Sequence, residues 1–204
     1  MGLLSSSVSI TRYRVEGKLE EPVLETMANG LKRHVISEID GNVSDETIGW
    51  TSFENPFNPK FEGSSFVIGG YFVFSLRIDK KTIPRRVIKK HFDVEVAKQL
   101  MKTGAKQLSR EEKRRIRQKV EDVLTLQIPA TPNIYDVVWQ YESSSLWFFS
   151  NLKSANEALE TLFAKSFNLT LIRLFPFTMA DLTAGLSPEE RDRLTALSPT
   201  SFTE

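Results

Sequence analysis

The chain has 204 residues, 40% of them hydrophobic, and 27 Lys or Arg against 26 Asp or Glu, a net charge of +1. That length suffices for one large domain or a domain with an inserted lobe, and the lack of Cys excludes a disulfide framework or a thiolate metal site. The lack of Cys fits a reducing cytoplasm; no run of about eighteen apolar residues exists to span a membrane, and the start lacks the charged-then-apolar pattern of a signal peptide. Gly2 and Ser6 fit the loose myristoylation pattern, but they read better as the lead-in to a first strand.

Ser7 to Val15 alternates apolar and polar residues and reads as that strand. Glu20-Glu21-Pro22 opens a helix, with acid and Pro in its first turn. Leu24, Met27, Ala28, Leu31 and Val35 repeat at helical spacing, and Lys32-Arg33-His34 closes the helix where cations suit its dipole. Asp40 to Gly63, rich in Gly, Asn, Pro and Ser, reads as a long ordered loop pinned by Trp50, Phe53, Phe57 and Phe61. Phe66 to Ile78 is strand-like, with Gly69-Gly70 marking a hairpin turn or bulge.

The period then changes. A helix is expected from Pro84 to about Met101, stopped at Thr103-Gly104. Ser109-Arg-Glu-Glu112 has the capping-box pattern and starts a second helix to about Leu124. Ile134 to Tyr141 and Leu146 to Ser150 read as strands, Lys153 to Phe167 as a helix, and Leu169 to Phe175 as a last strand ended by Pro176. Ser187-Pro-Glu-Glu190 can start a short helix, with a frayed tail from Ser198. This order predicts an α+β fold: antiparallel sheets with ferredoxin-like β-α-β and β-β-α-β portions, and an inserted basic helical hairpin. Residues 1–185 are expected to form one domain, with the hairpin lobe at about 82–126, and 186–204 a C-terminal tail.

The near-zero net charge hides a segregation of sign. Arg77 to Lys119 holds sixteen Lys or Arg against five Asp or Glu, while the remainder is strongly acidic. Such segregation speaks about partners rather than fold. At 100° per residue, Arg85, Arg86, Lys89 and Lys90 fall within an arc of roughly 140°. Val87, Ile88, His91 and Phe92 cover the other side and are expected to pack. Arg85 and Arg86 sit in the first turn, where the macrodipole disfavours cations, and a face serving only solubility would mix signs. On the second helix Ile116, Val120, Val123 and Leu124 form a narrow apolar stripe among Lys113, Arg114, Arg115, Arg117 and Lys119. The pattern points to a polyanion held by phosphate contacts, which give affinity without sequence information.

Two aromatic segments compete as stacking surfaces. Gly70-Tyr71-Phe72-Val73-Phe74 echoes the aromatic strand of RNA-recognition domains, but so apolar a run favours core packing. Trp139, Tyr141, Trp147, Phe148 and Phe149 alternate across two strands, so at least half should be core or interface. Catalysis is not expected. His34 reads as a helix-end residue and His91 as a packed one, and no P-loop is present. Asp79, Asp93 and Glu95 lack the clustering that a metal-dependent nuclease needs. No cofactor and no metal are implied. A protein-interaction module whose hairpin docks an acidic partner is the alternative, and a metal-dependent nuclease the next.

At Lys80-Lys-Thr-Ile-Pro-Arg-Arg-Val-Ile-Lys-Lys90 the chain resembles the bacterial recombination-associated RdgC family. Further echoes follow in the same order: Gly49-Trp50, the long charged hairpin, Val137-Val138-Trp139, and Ser154-Ala155-x-x-Ala158-x-x-Thr161-Leu162. The resemblance spans roughly Ile10 to Phe177. It implies a cytoplasmic, nucleoid-associated protein that binds single- or double-stranded DNA with little sequence preference. It also implies a ring-shaped homodimer with a basic central hole, and antagonism of the recombinase RecA by competition for DNA. The exonuclease label attached to the family finds no supporting residue constellation in this sequence. Lys81 and Lys89 are carried over from the matched stretch, whereas Arg85 and Arg86 are this chain's own. The expected DNA contacts are thus Lys80, Lys81, Arg85, Arg86, Lys89, Lys90, Lys113, Arg114, Arg115 and Arg117. The chain is about a third shorter than the typical member, which leaves ring closure open. Ile134 and Tyr135 lie where longer members carry an aromatic dimer contact and are the interface candidates.

Overall fold

The computed structural model describes residues 2–198. Its described elements are β1 (Thr11–Glu16), α1 (Val23–Arg33), β2 (Glu46–Thr51), β3 (Val67–Ile68), β4 (Tyr71–Lys80), α2 (Arg85–Thr103), α3 (Arg110–Gln127), β5 (Thr131–Gln140), β6 (Ser145–Phe148), α4 (Lys153–Phe167), β7 (Thr170–Leu174), α5 (Pro176–Thr183) and α6 (Pro188–Ala196). The strands form one antiparallel sheet in the order β2-β4-β5-β6-β1-β7, with the short β3 paired to β4. The mixed α+β class is as expected from the sequence.

The finer topology differs from the ferredoxin-like expectation. β6, α4 and β7 do make a split β-α-β unit, with β1 between the two parallel strands. β1 and β2, however, are separated by β6, β5 and β4. The reason is the pairing of β4, β5 and β6 as successive neighbours, which fills the space the first β-α-β unit would have spanned.

Strand alternation sorts β4 into two faces. Phe72, Phe74, Leu76 and Ile78 point toward α1 and α4 and join the main core. There they meet Met27 and Leu31 of α1, and Leu159, Leu162 and Phe163 of α4. Trp50 anchors this layer, its indole N–H donating to Ser166 Oγ at 2.7 Å. Fully burying a side chain such as Phe163 contributes roughly 1.5–3 kcal/mol. The opposite face carries Val73 with Val138 and Phe149, then a polar row of Ser75, Arg77 and Asp79. That row is buried because other segments cover it. Leu3 N–H donates to Asp136 Oδ2 at 2.7 Å, and Thr51 Oγ1 and Arg77 both bond to Pro56 O.

Two elements depart from the sequence reading. β2 lies inside the stretch read as loop. Its Gly49 has no Cβ to collide with the Ile36 backbone, which passes 2.5 Å from where that carbon would stand, so the segment after α1 can lie along the strand. α5 begins at Pro176, expected from the sequence only to end β7; Pro at the first helical position loses no bonded N–H. The short helix expected after Ser187 is α6, whose Ser187–Glu190 capping box is formed. The tail expected from Ser198 onward lies, past that residue, outside the described residues.

Candidate nucleic-acid interface

The strongly basic segment folds as an antiparallel helical hairpin inserted between β4 and β5, whose ends are paired at Lys80 and Thr131. α2 has no side-chain N-cap, no acid in its first turn, and Gly104 in the left-handed conformation at its C-cap. α3 opens with the expected capping box. Ser109 Oγ accepts the Glu112 N–H at 3.2 Å, and the Glu112 carboxylate accepts the Ser109 N–H at 2.8 Å. That backbone bond holds the Glu112 carboxyl below the usual carboxylate range.

The hairpin stands away from the body. None of the 19 residues of α2 is buried, and its principal neighbour is α3. Val120 and Leu124 of α3 are buried, and Leu108 seals the turn. The packed side expected of α2 is therefore only partly realised. Val87, Ile88 and Phe92 are half-buried, whereas His91, expected to pack, is exposed.

The four α2 cations, Arg85, Arg86, Lys89 and Lys90, are all exposed on one side of this isolated helix. None has an ion-pair partner among the described residues. The same holds for Lys113 and Arg114 on α3, and for Arg110 and Lys119 beside them. Arg115 and Arg117 are exposed too, but each is paired within its helix, to Glu111 at 2.8 Å and Glu121 at 3.0 Å. Exposed pairs of this kind contribute little to stability and open readily. With the uncapped N-terminus of α2 adding the positive end of its dipole, the hairpin is a cationic surface held by few internal counter-charges.

Two expected contacts sit elsewhere. Lys80 is at the end of β4, bonded to Glu46 at 2.9 Å, and that carboxylate raises its pKa. Lys81 is corrected: it is buried, and its ammonium donates to Asn42 O and Thr125 O, both at 2.8 Å. It clamps the last turn of α3 to the 40–45 loop and offers nothing to a phosphate. Strand alternation carried the signal, since Lys81 shares the parity of Ser75, Arg77 and Asp79 rather than that of Lys80. Ile134 and Tyr135 are half-buried on opposite faces of β5, Tyr135 packing its ring 5.8 Å from Phe148, so no single flat surface presents both.

The aromatic alternatives resolve as the alternation implied. Phe72, Phe74, Trp139 and Phe148 belong to the main core, and Phe149 to the second-face cluster. Tyr71 and Trp147 are half-buried, with rings 6.1 Å apart. Among the described residues, no three His, Cys, Asp or Glu side chains converge to hold a metal ion, and no helix is long and apolar enough to cross a membrane.

Fold and surface together define a mixed α+β protein with a protruding cationic helical hairpin. Residues 9–180 match the family described as "Putative exonuclease, RdgC", and the chain belongs to the RdgC family. No curated protein matches it.

Proposed function

We propose that the protein binds DNA without sequence preference through the exposed cations of the hairpin, and that it modulates homologous recombination by competing with RecA for DNA. The observation that carries this reading is the set Arg85, Arg86, Lys89 and Lys90, exposed and without ion pairs on a helix that buries no residue. Such a surface costs self-repulsion and gains stability when phosphates arrive. Membership of the RdgC family supports the recombination role, and a nucleoid-associated, cytoplasmic setting is proposed with it. A homodimer would set two hairpins on one DNA and multiply the phosphate contacts. The reading is one of binding rather than catalysis, against the exonuclease in the family's description, and the unpaired cations of the hairpin are what support it.

The test is fluorescence anisotropy on two duplexes of unrelated sequence, with gel analysis after incubation with Mg²⁺. Equal affinities are expected, falling about a thousandfold between about 50 and 200 mM salt if roughly six phosphates are contacted, with the DNA left intact. A salt-insensitive affinity would count against phosphate contacts, and cleavage by the pure protein would establish an enzyme instead. Retention of a protein partner after nuclease treatment, with no DNA affinity, would favour an acidic-partner module.

A further inference from the structure

Between α2 and α3 runs an open groove of about 660 Å³, lined by Phe92, Arg110, Glu111, Lys113, Arg114 and Arg117. Phe92 is the one Phe, Tyr or Trp of α2, and it is half-buried on a helix that fully buries none of its residues. The acid in the lining, Glu111, is already engaged by Arg115 at 2.8 Å. Arg110, Lys113 and Arg114 have no ion-pair partner among the described residues. Lys89, one turn before Phe92 on α2, lies about 60° from it around the helix, so the ring borders the cationic face.

We infer that this groove is a site for an unpaired nucleotide, whose base stacks on Phe92 while its flanking phosphates lie against Arg110, Lys113 and Arg114. An aromatic ring among cations is the combination by which proteins hold single strands irrespective of sequence, because every base has a π-face and every linkage a charge. A duplex keeps its base faces stacked inside, so it uses the cations and leaves the ring idle. The site therefore sets a strand preference on a surface whose general affinity is electrostatic. It rests on the DNA-binding reading and adds to it a distinct, non-electrostatic contact.

The discriminating variant is Phe92→Leu, which keeps an apolar side chain between the helices and removes the π-face. Full-length parent and variant are titrated with a single-stranded oligonucleotide and with its duplex, and circular dichroism checks that the helices persist. Phe92→Leu is expected to weaken single-strand binding roughly 5- to 150-fold, the range for losing one stacked base. Duplex affinity and both salt slopes should stay unchanged, and Phe92→Tyr should restore single-strand binding. Equal losses on both DNAs would reduce Phe92 to a packing residue and overturn the site, as would no loss on either. If the parent binds neither DNA at low salt, the DNA-binding reading itself fails; if it binds both and Phe92→Leu changes nothing, only the stacking site fails.

Discussion

Replacing Arg85, Arg86, Lys89 and Lys90 together with Glu is expected to abolish DNA binding while leaving the fold intact. The two halves of this expectation come from separate observations. Loss of binding follows from charge. Removing four phosphate contacts lowers affinity on the order of a thousandfold at about 100 mM salt, and four carboxylates then repel what remains. Survival of the fold follows from burial, since α2 buries no residue and these four side chains are exposed without ion pairs. Surface substitutions away from such features change stability little, and acids in the first turn suit the helix dipole better than the native arginines do. Parental DNA affinity in a folded quadruple variant would remove α2 from the interface. A collapsed thermal midpoint would mean that these cations hold the structure.

Asp79→Ala is expected to do the opposite, destabilising the body while leaving the hairpin surface as it was. Arg77 and Asp79 are almost fully buried and form two bonds, of 2.7 and 2.6 Å. The guanidinium also bonds Pro56 O and lies 5.1 Å from the centre of the Phe57 ring. Removing the carboxylate strands a buried cation, a change that typically costs about 3–5 kcal/mol. For a chain of this size that is a fall in Tm of roughly 6–20 °C. The double variant Arg77→Met with Asp79→Leu should recover much of the loss, because a buried pair replaced by apolar groups of similar volume is often neutral. A small Tm change in Asp79→Ala would show that water or the 52–58 loop rearranges to serve Arg77. DNA affinity measured below the lowered Tm should match the parent's, because no DNA-facing side chain has changed.

These paired expectations reflect a division of labour that sequence patterns conveyed unevenly. The hairpin was legible because its signals are local: Ser109 and Glu112 are three residues apart, Gly104 ends a helix by its own conformation, and cation spacing fixes a face. The strand with Phe72, Phe74 and Leu76 was legible from its apolar run. β2 was not, because Gly49 and the polar residues around it gain their strand conformation only from pairing with β4 across some thirty residues of chain. Sheet order was out of reach for the same reason, β1 being inserted between β6 and β7 by contacts distant in sequence. Lys81 and His91 failed in complementary ways. A cation next to Lys80 looked like another surface charge but is enclosed by carbonyls from Asn42 and Thr125. A histidine on the apolar side of its helix looked packed, but His91 lines an open groove beside Val120, Val123 and Leu124 of α3 and stays exposed.

The hairpin as the DNA-contacting surface is tested most directly by chemical footprinting of lysines. The protein is acetylated with and without duplex DNA, and each site is quantified by mass spectrometry. Lys18, Lys60 and Lys153 lie outside the hairpin and are exposed, as are Lys89, Lys90 and Lys113 within it, so all six should react in free protein. With DNA bound, protection is expected at Lys89, Lys90 and Lys113, and continued reaction at Lys18, Lys60 and Lys153. Protection of the second set with the hairpin lysines still reactive would contradict the assignment and move the interface to the body.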